Sequence, residues 1–561
     1  MTEDVSYSAA CQGDECKDTA SCLKSREILN KFITAQFAIM KLESMSSTDR
    51  VNQRFAAQFP KNLVANIAYF LVNVIIGVLL VPYFVTTLGV AAYGLIPLAT
   101  SITGYVAIVV QALNTAVSRF LTVDLQQKNY VAANQTFNTA LFAFSVIFLL
   151  MIPIVVTVAW LAPFIFHVPA GQESSAIFLF LGVSTATLIR FWSGNYTVQL
   201  FAYNRLDLQN LVNLTNIVVQ VGLIVFFFTF LGPDLVLIGG AYLIGAVVAS
   251  AVSIILAHRI CPYLRVSIGA FDRTRLREIS GMGGWVVVDQ IGHLFLFQID
   301  LIVVNLLFGA TSAGEYAIAL QWGLLILAVA GTVASVFTPT ILTYYALNQT
   351  ETLVAITQSA IKFIGLAIAL PAGLICGFAP QLLTVWVGTE HANLAPLMVL
   401  LTAHLAVNMS VQPLFAVNVA HNKVRIPGIM TALLGIANLI LAVTIPLVTG
   451  WGYYGVAVAG VIILTFRHTL FIPWYATRVL GVEAHTFTRS MLAGFVATGL
   501  IGVAAAALGG VLQLPALITL AVAGVGITLV YLVGVWGFGL NRFERELFES
   551  YLPPAIRRII V

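Results

Sequence analysis

Charge is what this chain has least of. Asp, Glu, Lys and Arg make up 9% of its 561 residues, against about 25% in an average soluble domain, which excludes an ordinary solvated globular surface. Signatures of covalent chemistry are also missing. No Gly-Lys pair occurs, so there is no phosphate cradle ending in Gly-Lys-Ser/Thr, and no His-Glu-x-x-His zinc motif is present. Acids expected outside the membrane are isolated: Glu173, Asp234, Glu315 and Glu390. Five cysteines offer little more. Cys11, Cys16 and Cys22 are too widely spaced for a metal knuckle, and Cys261 and Cys376 stand alone. No enzyme activity, metal or cofactor is therefore expected.

What is abundant is apolar length. The chain is 60% hydrophobic, and runs of about 20 residues, each enough to cross roughly 30 Å of hydrocarbon, recur from Asn62 to Leu540. Runs this long exceed barrel strands, and helices satisfy their own backbone in lipid. The fold expected is an all-α polytopic membrane protein of about 14 transmembrane helices. With the N-terminus inside, every Lys and Arg except Arg190 falls on the cytoplasmic side, the asymmetry that the positive-inside rule demands. Both termini are then cytoplasmic, and the location is the cytoplasmic (inner) membrane. The net charge of +4 describes a membrane face, and no nucleic acid is expected.

Landmarks in the first half recur in the second. Asn204-Arg205 returns as Asn422-Lys423, Pro153 as Pro371 and Gly232 as Gly450, each 218 residues on; Ala162-Pro163 returns as Ala379-Pro380 at 217, and Gly89 and Gly94 as Gly309 and Gly314 at 220. A near-constant offset marks a duplication, and two equivalent halves around a site are the logic of transporters. Each half holds six helices, so the repeats run parallel, and two C-terminal helices are additional. The segments are a cytoplasmic, mostly disordered tail 1–57 (with Met45 an alternative start), lobe 58–260, basic linker 261–280, lobe 281–478, helices 479–540 and cytoplasmic tail 541–561.

Polar residues within the apolar runs nominate a site. Arg190 lies mid-way along the fourth run, where a cation costs about 2.5–3.5 kcal/mol to insert. It either serves an anionic substrate or locks two helices through a carboxylate or carbonyls. Asp289, His293 and Asp300, on the seventh run, are spaced by 4 and 7, within about 40° on one helical face. They are expected to face the gap between the lobes and are candidates for binding H⁺ or Na⁺. Asn66 and Asn73, Gln111 and Asn114, and Gln321 extend a hydrated seam, as do His404, Asn408 and Gln412 at spacings of four; interhelical hydrogen bonding is the alternative for each.

The stretch Leu88-Gly89-Val90-Ala91-Ala92-Tyr93-Gly94-Leu95, and its echo Asp300 to Phe308-Gly309 followed by Ala313-Gly314-Glu315-Tyr316, resemble the paired signatures of bacterial polysaccharide flippases. These belong to the multidrug/oligosaccharidyl-lipid/polysaccharide exporter superfamily, and the resemblance covers about residues 58–540. It implies two six-helix lobes opening alternately to each side, and carriage of an oligosaccharide on an undecaprenyl-diphosphate-like lipid to the outer leaflet. Membrane lipids and polysaccharide polymerase or assembly proteins are the partners implied. The extra helical pair is similar to that of the lipid II flippase branch. The multidrug branch is the rival, an antiporter of small amphiphilic cations that would use Asp289 and Asp300.

Overall fold

The computed structural model describes residues 47–540 except 347, 422 and 513, together with Arg545. Most of the two expected tails, and Asn422 of the repeat, lie outside the described residues. Two compact units are present, Met1–Val64 and Ala65–Val561. In the first, where helix α1 (Ser47–Leu88) begins, Gln58 Nε2 donates to Asn62 Oδ1 at 3.2 Å.

The regular elements of the second unit's described residues are all helices. After α1 come α2 (Val90–Gln126), α3 (Tyr130–Ile165), α4 (Glu173–Ala202), α5 (Leu206–Phe230) and α6 (Leu235–Ile260). A linker with one 3₁₀ turn leads to α7 (Arg273–Phe297), α8 (Ile299–Ala346), α9 (Thr350–Gly377) and α10 (Ala379–Val387). A broken stretch follows: α11 (Ala395–Ala403), α12 (Leu405–Asn408) and α13 (Gln412–Ala420). Then come α14 (Arg425–Thr449), α15 (Tyr453–Thr465), a π turn over Phe466–Phe471, α16 (Ile472–Leu480), α17 (Thr488–Val511) and α18 (Ala516–Gly534).

The duplication is written in the backbone. Left-handed φ values fall at Gly89 and Gly309 (84° and 87°), Lys128 and Asn348 (57° and 56°), Gly171 and Gly388 (81° and 109°), and Gly232 and Gly450 (91° and 69°). Glycine occupies most of these positions because a Cβ is costly at positive φ. Gly94 and its repeat partner Gly314 lie against each other. A Cβ on Gly94 would stand 2.6 Å from the Gly314 nitrogen, and one on Gly314 would strike the Val90 carbonyl oxygen. The halves thus meet backbone to backbone along α2 and α8, and one buried apolar core, including Leu95, Leu98, Val304 and Tyr316, runs through both.

Among the described residues, eleven helices are long and apolar enough to span a membrane, or twelve if the stretch Thr389–Ala420, bent by 42°, is one span. The expected count of about 14 is not confirmed by the described residues. The second expected run is the continuous helix α2 (Val90–Gln126), part of whose side chains lie outside those described. The seventh is divided: α7 ends at Phe297, Gln298 forms a turn, and the chain resumes in α8, which itself kinks at Gly309. The added helix α17 packs on α9 through small residues, with Gly494 against Gly365 and Ala505 against Gly377. From α18, the Tyr531 hydroxyl donates to the Leu366 carbonyl at 2.7 Å.

Candidate functional site

In the first repeat, polar side chains gather around α5. Arg190, on α4, donates from Nη2 to Asn213 Oδ1 at 2.8 Å. Its Nη1 is buried with no hydrogen-bond partner among the described residues. One turn before Asn213, Asn210 donates to Asn66 Oδ1 at 2.5 Å, so α5 brings together two residues that sequence reading nominated separately. Asn73 turns inward on its own helix, donating to the Tyr69 carbonyl at 2.8 Å. No carboxylate is paired with Arg190 among the described residues, so the lock expected as its alternative role is built from an amide.

A cavity of about 560 Å³ in the same repeat as this ladder is lined by Asn114, Ser118, Arg119, Thr122, Thr197 and Gln209 together with the apolar Val123, Val198 and Phe201. Asn114 packs where a Cβ on Gly194 would stand 3.0 Å from Nδ2, and its Oδ1 has no partner among the described residues. Seven residues of helix, about 10 Å of rise, separate Arg190 from Thr197 at the cavity wall. At the start of α5, Arg205 Nε and Nη2 reach Asp207 at 2.9 and 3.0 Å, and that carboxylate holds the guanidinium's pKa above its ordinary value. The side chain of Gln111 lies outside those described. Gln321 sits apart from the ladder, its Nε2 2.8 Å from where a Cβ on Gly77 would be.

The second repeat buries different chemistry. Asp300 accepts from Asn438 Nδ2 at 3.1 Å and from the Tyr316 hydroxyl at 3.3 Å, and a Cβ on Gly460 would stand 3.1 Å from its Oδ2. All these partners belong to the second repeat, and Asp300 itself is half-buried. A turn at Gln298 interrupts the helix between His293 and Asp300. His293 stacks on Phe297 with ring centres 5.8 Å apart. The side chain of Asp289 lies outside those described.

Arg467, counted among the cytoplasmic-side cations, is enclosed by protein. Arg467 is 1% exposed, within the π turn between α15 and α16. Its guanidinium donates to Thr431 Oγ1 at 2.9 Å and to His468 Nε2 at 3.0 Å, and lies 5.2 Å above the Phe415 ring. Since His468 Nδ1 faces the Leu464 carbonyl at 2.9 Å, both contacts are satisfied by one neutral tautomer, with the hydrogen on Nδ1. The His404 and Asn408 pair is real across the broken stretch, Nδ2 donating to Nδ1 at 2.8 Å. Gln412 instead turns to Met409 sulfur at 3.7 Å.

A duplicated helical fold with buried charges in each half is the architecture of a membrane transporter. Residues 59–344 match the family of polysaccharide biosynthesis proteins, and the chain belongs to that family. It is 32% identical over 420 residues to EpsK, an uncharacterized membrane protein of Bacillus subtilis (strain 168), covering 75% of this chain and 83% of that one. Among solved structures, lipid II flippase MurJ in an inward closed conformation superposes with a TM-score of 0.60 at 16% identity, over 87% of this chain and 99% of its own. An inward-facing multidrug resistance MATE family transporter of the MOP superfamily gives 0.61 at 16% identity, over 75% and 97%. At such identity these two likenesses concern the fold alone.

Proposed function

We propose that the chain flips a lipid-linked oligosaccharide, of undecaprenyl-diphosphate type, from the inner to the outer leaflet for surface polysaccharide synthesis. It works by alternating access, without covalent chemistry. The observation that carries this reading is the amide ladder Asn66–Asn210 and Asn213–Arg190, with the amides Asn114 and Gln209 and the hydroxyls Ser118, Thr122 and Thr197 lining a cavity in the same repeat. Amides and hydroxyls suit sugar hydroxyls, and a guanidinium suits phosphate. Asn73, Gln111, Asn114 and Gln321 belong to the substrate path in this reading. The lobes 58–260 and 281–478 are the moving bodies, the basic linker 261–280 joins them, and both termini lie in the cytoplasm of a cell whose inner membrane holds the protein. Membrane lipids and polysaccharide assembly proteins are its partners.

Asp300, with Asn438 and Tyr316, is the preferred seat of a coupling H⁺ or Na⁺, with Asp289 and His293 on its approach. The rival reading, an antiporter of amphiphilic cations, asks for an acid on the path, whereas Asp300 is turned into its own repeat. Replacing Arg190 with Ala tests the main reading: surface glycan should fall at least tenfold (about 1.4 kcal/mol or more) while membrane levels hold, and Lys should restore part of it. Loss of the protein from the membrane would make Arg190 a fastener and sink the substrate role.

A further inference from the structure

The linker between the repeats carries a structure of its own. Leu264 and Ile279 are buried in a core with Cys261, Phe137 and Leu141, and burial pushes the Cys261 thiol up to about 12. Side chains of α3 then hold the linker backbone residue by residue. Asn134 Oδ1 accepts from the Arg265 amide at 3.0 Å, Asn138 Oδ1 from Ser267 at 2.7 Å, and Thr139 Oγ1 from Asp272 at 2.9 Å. Asn138 Nδ2 donates to the Arg265 carbonyl at 2.9 Å. Such a segment is fixed in place.

Its tip nevertheless presents apolar side chains outward. Ile268 is 82% exposed, Val266 53% and Phe271 39%. Exposed arginines surround them: Arg259, Arg265, Arg273 and Arg277. The nearby acids are occupied, Asp272 capping α7 through the amides of Thr274 and Arg275, and Glu278 pairing with Arg275 at 3.2 Å. Arg275 also reaches Asp124 at 3.1 Å. Near the tip in sequence, Tyr263 packs at a 50° tilt against Tyr130 with ring centres 4.5 Å apart. The surface is therefore apolar at its point, cationic at its rim and aromatic at its side.

We propose that this tip is a membrane-interface anchor that inserts Val266, Ile268 and Phe271 into an anionic leaflet, with the four arginines on lipid phosphates. Each part follows from interface chemistry. Basic side chains near an anionic surface attract it over about a Debye length, tyrosines favour the headgroup level, and a rigid support removes the ordering cost of insertion. Because α3 grips the linker, the anchor binds the first repeat to the leaflet surface. The proposal rests on the reading that residues 261–280 face the cytoplasm.

The test uses the full chain in liposomes, with Ile268→Cys as the only accessible cysteine, carrying an environment-sensitive fluorophore. An impermeant thiol reagent added to right-side-out cells first reports the face: protection there, with labelling after permeabilisation, leaves the topology standing, and labelling of intact cells sinks both topology and anchor. In vesicles with 30% phosphatidylglycerol, spin-labelled lipid should quench the fluorophore at least threefold more than in pure phosphatidylcholine. Changing Arg259, Arg265, Arg273 and Arg277 together to Gln should remove that difference. A fluorophore that stays in water in both vesicles, or is quenched equally in both, overturns the anchor. Sparing from lipid combined with crosslinking of the same position to a cytosolic protein overturns it too.

Discussion

In the first repeat Gln220 stands on α5 and Tyr242 on α6. The positions 218 residues on are Asn438 and Gly460, and there the space left without a tyrosine ring is taken by the Asp300 carboxylate. A similar exchange occurs one layer away. Asn213 receives Arg190 from α4, while Thr431, its counterpart, receives Arg467 from the π turn near α16. In the repeat frame Arg190 corresponds to Asn408, and Arg467 to Ala249. The duplication kept the backbone turns and the acceptor positions on α5 and α14, and relocated the charges that use them. One half consequently offers a half-buried cation bonded to an amide. The other encloses a carboxylate, and separately a cation. In the proposed reading a substrate anion and a coupling cation fall to different halves, which allows either to be altered alone.

The largest effect should come from the enclosed cation. Replacing Arg467 with Ala removes donors to Thr431 and His468 and the contact with Phe415, at a cost on the order of 3 kcal/mol. The expected outcome is loss of folded protein, read as a drop in unfolding temperature and in membrane level, where Arg190→Ala leaves both unchanged. Equal behaviour of the two variants would erase the division between halves. Less costly is crowding the contact itself. Ala at Gly94 or Gly314 puts a methyl into backbone, and overpacking costs about 1–3 kcal/mol. Both should lower thermal stability and slow transport by similar factors, since each is the other's mirror; a penalty at one position only would show that the halves do not meet symmetrically.

Asp300→Asn comes next in size. It keeps an acceptor for Asn438 while removing the charge, so stability should change by less than in the variants above, and the dependence of glycan export on Na⁺ or on external pH should flatten. An unchanged ion dependence would leave Asp300 as a fastener, and the halves would then differ in structure without differing in task.

Much of this was legible in advance because the signals were local. Gly89, Gly232, Gly309 and Gly450 mark left-handed backbone that few other residues tolerate, so the duplication could be read from their spacing. Arg190 stood out against its apolar neighbours. Asn210, Asn213 and Gln220 share spacings of three and seven that a helix places near one another, and this stripe was available but passed over. The partners of Asp300 and the burial of Arg467 were not legible, because each residue lies beside a break in its helix. The turn at Gln298 and the π turn at Phe466–Phe471 each reset which way the following side chains point, and neither contains a Pro that would have announced it. Packing against neighbouring helices decides such breaks, and a single chain's pattern does not record it.

The smallest effect concerns the joint between the halves. Asp272 caps α7, accepting from the amides of Arg275 at 3.2 Å and Thr274 at 2.6 Å, and those two hydrogen bonds, Arg275's first, hold its carboxyl below the usual range. A carboxyl depressed in the folded state stabilises it above the unfolded pKa of about 3.9, and that contribution disappears as pH falls through the lower folded value. Wild type and Asp272→Ala should therefore differ in unfolding temperature at pH 7 and converge as pH falls through the lowered folded pKa. Asp272→Asn, which keeps an acceptor without the charge, should fall between them at neutral pH. The shift should be smaller than any of the preceding ones, because the group is exposed to solvent. A difference between wild type and Asp272→Ala that persists undiminished at low pH would mean that the cap acts through side-chain shape alone. The grip of α3 on the linker, through Asn134, Asn138 and Thr139, would then carry the joint without electrostatic help.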